Sequence, residues 1–194
     1  MKSVLLVLVG SILFFAGCSK MPTETVQTID KSFETIIVSG GQEYAPEATN
    51  VAADAITEMK AEIAAQDKKF VLFRTYSESK FLAARARSVV DSVIVVVETN
   101  KELARVSSRQ AIDENLLKLN SAKELLLIAP MGKGSELDIK MLESDLNGIG
   151  QLIGESEVAF GEQRYNDSLV KSQAIAASLD GIVEELNSAI SSKK

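Results

Sequence analysis

The sequence predicts an all-α protein of five or six helices, packed as a bundle or as a short stack of antiparallel helical hairpins. Three observations carry that expectation. Apolar residues recur at three- and four-residue spacing through most of the 194 residues, the period of a helix with one buried stripe. Hydrophobic residues at 46% and charged residues at 25%, with only 3 prolines, describe a chain that folds and is not a disordered tail or a proline-rich stalk. No turn signal isolates the one strand-like run, Val93-Ile94-Val95-Val96-Val97.

The first segment is not part of that fold. Lys2 supplies a positive charge, Val4 to Phe15 is almost uninterrupted apolar, and Ala16-Gly17-Cys18 closes the run with small residues, the order of an export signal over residues 1–17. The apolar run is shorter than the roughly twenty residues a permanent bilayer span needs, and polar Ser19-Lys20 follows at once. Phe15-Ala16-Gly17-Cys18 resembles the bacterial lipobox, which implies that Cys18 receives a diacylglyceryl group and becomes the N-terminus after cleavage. Phe15 departs from the leucine usual at the first position. An ordinary cleaved signal with a free thiol, or an anchor that stays uncleaved, are the alternatives. Acylation, with palmitate-type chains, would make this a lipoprotein held at a membrane surface, since one chain binds marginally and two or three bind firmly. Ser19 after the cysteine resembles the sorting pattern for the outer membrane of enteric bacteria, with the body facing the periplasm.

Residues 18–23 then form a lipidated tether, and one helical domain is expected over 24–192. Val26, Ile29, Phe33 and Ile36/Ile37 mark a short helix over 24–38 that Gly40-Gly41 ends. Pro46 suits the first position of the next helix, where a missing N–H costs nothing, and Ala52, Ile56, Met59, Ile63 and Phe70 form its inward stripe. A turn near Arg74–Ser77 leads to a helix over about 77–106, completing a hairpin over 46–106. Leu82, Ala86, Val89, Val93 and Val96 face inward there, widened by Val90 and Val97. The β-branched run favours a strand by propensity, but the period on both sides selects a helix covered on several sides.

Ser107-Ser108 is expected to bend or cap the chain before a connecting helix over 109–128, with Ile112, Leu116, Leu119 and Leu126 inward. Pro130-Met131-Gly132-Lys133-Gly134 is the clearest break. A second hairpin spans 135–190. Ser135 with Asp138 resembles an N-terminal cap, and Leu142, Leu146, Ile149, Ile153 and Phe160 point inward. Gly148, Gly150, Gly154 and Gly161 each cost about 1 kcal/mol in a helix, so backbones approach closely there or the helix is locally weak. After Tyr165-Asn166-Asp167, the stripe Leu169, Ser172, Ala176, Leu179, Val183, Leu186 and Ile190 is the most regular in the chain, with Tyr165, Leu179 and Val183 as structural residues.

Tyr76-Ser77-Glu78-Ser79 is echoed by Tyr165-Asn166-Asp167-Ser168, and Val90-Asp91 by Leu179-Asp180, as if one hairpin were duplicated. Chance alignment of two amphipathic hairpins is the other reading. Each tyrosine is expected at an inter-helix turn with its ring between helices. The lipobox, Glu43-Tyr44-Ala45-Pro46-Glu47, the alanines of the next helix and Phe81-Leu82-Ala83-Ala84-Arg85-Ala86 together resemble a family of bacterial cell-envelope lipoproteins built on tetratricopeptide-like hairpins, over about residues 15–106. That resemblance implies a periplasmic helical scaffold and no chemistry. The glycine usual before the hairpin tyrosine is replaced by Arg74-Thr75.

Composition removes much catalysis. With no histidine and one cysteine, the chain cannot build a histidine triad, a Cys/His zinc cluster or a disulfide framework, and no cofactor or metal site is expected. Gly132-Lys133-Gly134-Ser135 lacks the upstream glycine of a phosphate loop, since Leu127 stands there. A carboxylate-dependent enzyme is the remaining catalytic alternative.

The net charge of −6, about −7 once Lys2 leaves with the signal, disfavours nucleic acid and anionic lipid as broad partners. Residues 67–109 are nonetheless basic and the stretch from Ser135 acidic. Either the two neutralise each other, or the side carrying Lys80, Arg85, Arg87 and Tyr76 grips an acidic envelope protein or polymer. The expected role is a noncatalytic scaffold or binding module. Self-association into a homo-oligomer through an exposed part of the Val-rich helix is the rival.

Overall fold

The computed structural model describes residues 20–130 and 135–191, with the side chains of 135–138 left outside the description. Cys18, the signal, the glycines of the 130–134 break and the Ser135/Asp138 cap therefore lie outside the described residues. Within them the fold is all-α, with six helices: α1 Thr23–Val38, α2 Gly41–Tyr44, α3 Pro46–Asp67, α4 Ser77–Ile128, α5 Ser135–Gly161 and α6 Tyr165–Ser191. A 3-10 turn, Val71–Phe73, lies between α3 and α4. The described residues divide into two compact units with the boundary between Thr99 and Asn100, inside α4, where one domain over 24–192 was expected.

In the first unit α1 stops where the sequence predicts. Gly40 sits at φ 91°, a left-handed conformation that glycine adopts without strain, and its N–H returns to the Ile37 carbonyl. Gly41 is needed for a different reason: a Cβ there would fall 2.5 Å from Ile36 Cγ2 and 2.9 Å from the Ile36 carbonyl oxygen. This tight reversal turns α1 onto α3, so that Ile29 and Ile36 bury with Ala52, Ile56, Met59 and Ile63. Pro46 occupies the start of α3 as its missing N–H allows. Phe70, expected on the buried stripe, is instead 69% exposed, because α3 ends at Asp67 and the helical period no longer applies to it.

Two expectations for α4 are overturned. Ser107 and Ser108 do not break the chain or cap a new helix: a single 52-residue helix runs through them. Serine lowers helix propensity only modestly, and neither Gly nor Pro stands nearby to break the ladder. The Val-rich run is helical, as predicted, but it is not covered all round. Val93 and Val97 are buried, whereas Val95 is 60% exposed and Val96 40%. The buried positions follow alternating steps of three and four through Ser79, Ala83, Ala86, Val90, Val93 and Val97, a stripe about one helical face wide.

In the second unit, Ile112, Leu119, Leu146, Ile149, Ile153 and Leu179 form the central cluster, with Phe160 and Val183 packed at its edge. Leu116, expected inward, is exposed, and its neighbour Asn115 is buried instead. The glycines of α5 do not mark a close approach. An added Cβ at Gly148, Gly154 or Gly161 meets nothing within 4 Å, and at Gly150 only an ordinary 3.7 Å contact with Leu119. The α5–α6 turn is closed by Gln163 at φ 63°, with the Arg164 N–H reaching back to the Ala159 carbonyl.

The burial registers of the two units repeat. Ile56, Met59, Ile63 and Gln66 of α3 correspond at one spacing to Leu146, Ile149, Ile153 and Ser156 of α5, and all eight are buried. The same spacing carries Ile29 of α1 onto Leu119. Counted from the two tyrosines, Ser79, Ala83, Ala86, Val90 and Val97 correspond to Ser168, Ser172, Ile175, Leu179 and Leu186, again all buried. The match in burial positions is wider than a hairpin: it takes in α1, α3 and the start of α4 in the first unit, and the end of α4, α5 and α6 in the second.

The membrane designation does not extend to a span. Among the described residues no helix is long and apolar enough to cross a membrane.

Candidate functional site

The residues expected to bind a partner lie at the α3–α4 turn and the start of α4. Tyr76, immediately before α4, is 7% exposed and its hydroxyl donates to Asp67 Oδ1 at 2.6 Å. That hydrogen bond, burial and the Asp67 charge raise the Tyr76 pKa above its ordinary value, with Arg74 opposing. The turn has further ties. Arg74 donates from Nε to the Lys69 carbonyl at 2.9 Å and from Nη2 to the Asp67 carbonyl at 2.8 Å, while Gln66 Oε1 accepts from the Thr75 N–H. Asp67 and Gln66 were not singled out from the sequence. The available signal was an acid and an amide at the end of one helix, nine residues before a tyrosine and a threonine at the start of the next.

Lys80 is exposed and makes no ion pair among the described residues. Arg85 pairs with Glu58 of α3 at 3.0 Å, and Arg87 lies 3.7 Å from Asp91 one turn along α4. Each of Arg85, Arg87 and Tyr76 is held by its own acid: Glu58, Asp91 and Asp67. Arg87 lines a shallow depression with Ala84, Ser88, Asp91, Ser92 and Val95, all on α4, whereas Tyr76 is committed to Asp67. The basic stretch also finds acids nearby: Arg105 pairs with Glu102 at 2.7 Å, and Arg109 with Asp113 and, at 3.7 Å, with Glu157. Arg109 accordingly holds the Asp113 carboxyl below its usual value.

The most connected polar group is buried in the second unit and consists of hydroxyls. Ser108 Oγ donates to Ser168 Oγ at 2.7 Å, Ser168 Oγ donates to the Ser156 carbonyl at 2.8 Å, and Ser156 Oγ donates to the Ser168 carbonyl at 2.9 Å. Ser172 Oγ lies 2.7 Å from Ser156 Oγ, and Asn115 Nδ2 donates to the Ser172 carbonyl at 2.8 Å. The network ties α4, α5 and α6 together. Among the described residues these hydroxyls bond one another and backbone carbonyls, not a basic side chain that would activate one of them. The sequence put Ser172 on an inward stripe, Ser108 at an expected bend or cap and Ser168 after the Tyr165 turn; Ser156 was not singled out, and none was expected in a buried network.

The structural residues fall where packing needs them. Leu179 is fully buried in the central cluster and Val183 packs beside it. Tyr165 is half-buried with its ring 5.3 Å from that of Phe160, over which the Arg109 guanidinium lies at 5.7 Å. No group of His, Cys, Asp or Glu that could hold a metal exists among the described residues.

Fold and polar groups together define an all-α protein of two compact helical units in which buried polar contacts hold helices to one another. No family model, curated protein or solved structure matches the chain. The resemblance to envelope lipoproteins therefore rests on the motifs that carry it.

Proposed function

We propose that the protein is a noncatalytic helical scaffold or protein-binding module, held by lipid on Cys18 at the periplasmic face of a bacterial outer membrane. The observation that carries this reading is the run Phe15-Ala16-Gly17-Cys18 behind an apolar segment and ahead of a helical body. Support for a noncatalytic role comes from the buried serines, which bond one another, and from the acids, several of which sit in exposed ion pairs. The test is metabolic labelling with a palmitate analogue followed by membrane fractionation. Wild type is expected to carry label and sediment with membranes, and Cys18→Ser to lose both; unlabelled wild type, or unchanged sedimentation of the variant, would overturn the anchor.

Partner recognition is assigned to the exposed cations of α4. Reversal of Arg85 and Arg87 to Glu is expected to cost little stability, because exposed ion pairs contribute about 0–1 kcal/mol, while abolishing capture of an acidic envelope partner. Loss of stability without loss of capture contradicts that assignment.

A second reading, self-association, is favoured by the exposure of Val95 and Val96 on α4. Sedimentation velocity decides it: a wild-type dimer that Val95→Glu converts to monomer supports it, and a wild-type monomer sinks it.

A further inference from the structure

The α3–α4 turn exposes four consecutive large apolar side chains: Phe70 is 69% exposed, Val71 59%, Leu72 79% and Phe73 74%. Single exposed apolar residues are ordinary, but four in a row on a turn oppose the hydrophobic effect unless something other than water meets them. The turn is held in shape from behind. Arg74 is spent on two backbone carbonyls, those of Lys69 and Asp67, the Phe73 N–H returns to the Phe70 carbonyl at 2.8 Å, and Tyr76 and Thr75 fasten the return strand to Asp67 and Gln66. A preformed turn pays little ordering cost on binding.

The shape selects the occupant. Phe70, just before the 3-10 turn, and Phe73, at its end, lie side by side with ring centroids 6.3 Å apart, while within the turn successive side chains point about 120° apart. Large apolar side chains clustered on a turn suit the headgroup–acyl boundary of a bilayer, where apolar faces bury and cations meet phosphates. Lys68 and Lys69 stand at the base of the turn, both exposed and without an ion pair among the described residues, which suits anionic headgroups. The overall negative charge does not cancel this, because screening confines each charge's reach to about 8 Å at physiological salt.

We infer that the 68–74 turn is an interfacial membrane-contact site, which places Phe70, Val71, Leu72 and Phe73 at the headgroup–acyl boundary of an anionic phospholipid bilayer, with Lys68 and Lys69 on the phosphates. It inserts without spanning. This goes beyond the Cys18 anchor, which by itself leaves the turn in water, and it orients the first unit at the surface.

The chain contains no tryptophan, so a single introduced indole reports its own site. The full chain carrying Phe73→Trp is mixed with phosphatidylglycerol–phosphatidylethanolamine vesicles whose acyl chains are brominated, and compared with Leu117→Trp, an exposed position on α4 of the second unit. Expected is a blue shift and about twofold quenching for Phe73→Trp, no quenching for Leu117→Trp, and loss of the Phe73→Trp signal when Lys68→Glu and Lys69→Glu are added. An unquenched Phe73→Trp overturns the site, and so does equal quenching at both positions. The result is independent of acylation, which is read by mass.

Discussion

Tyr76 and Asp67 face each other across the α3–α4 turn, with the phenol donating to the carboxylate at 2.6 Å. The bond joins the end of one helix to the start of the next, so it sets the hairpin and steadies the apolar turn between them. Tyr76→Phe is expected to lower the urea midpoint of unfolding, and Asp67→Asn, which keeps an acceptor, to lower it less. The pH dependence follows from the raised Tyr76 pKa. The protonated phenol is favoured more in the folded chain than in the unfolded one. Its contribution is therefore complete below about pH 10, the ordinary tyrosine value, and is lost as pH rises through the folded value. Tyr76→Phe removes that alkaline component, which denaturation at several pH values measures.

The serine network predicts a cost out of proportion to one oxygen atom. Ser156→Ala leaves the Ser168 carbonyl and Ser172 hydroxyl short of a partner in a buried place, which costs about 1–3 kcal/mol. Because Ser156 and Ser172 share a bond, the double alanine variant should cost less than the sum of the singles. Strict additivity in urea denaturation would show the bond contributes nothing.

Open space beside the glycines of α5 predicts the opposite sign. Gly148→Ala and Gly154→Ala add a methyl that meets nothing within 4 Å, so each should stabilise by about 0.5–1 kcal/mol through helix propensity and a less flexible unfolded chain. A fall in thermal midpoint for both would mean that the glycines serve a close contact after all.

Continuity of α4 is tested at Ser107, an exposed residue in the helix interior. Ser107→Pro removes a backbone donor and clashes with the preceding turn, so it should cost about 3 kcal/mol or more. If a break lay at 107–108, the same change would be nearly neutral.

Much of the architecture was legible because most helices here are amphipathic and punctuated. Gly40-Gly41, Pro46 and the Leu179–Leu186 stripe each declare a boundary or a face through local chemistry. What escaped depends on distance in sequence. Ser107-Ser108 looks like a break locally, yet Ser108 is buried and bonded to Ser168, sixty residues on. Asn115 takes the inward place expected of Leu116 because the Ser172 carbonyl offers it an acceptor. Val95 and Val96 look buried by composition, but a helix covers only the face its neighbours reach. At the candidate site, Arg85 and Arg87 were legible as cations, whereas the commitment of Tyr76 to Asp67 depends on the geometry of the turn between them.

The lipid on Cys18 is the central claim, and the intact mass of the protein purified from bacterial envelopes tests it most directly. The account predicts a chain that begins at Cys18 and carries the added mass of a diacylglyceryl group, with or without a further acyl chain, and that Cys18→Ser never shows this mass. An unmodified Cys18 in a chain of otherwise mature or unprocessed mass would contradict it.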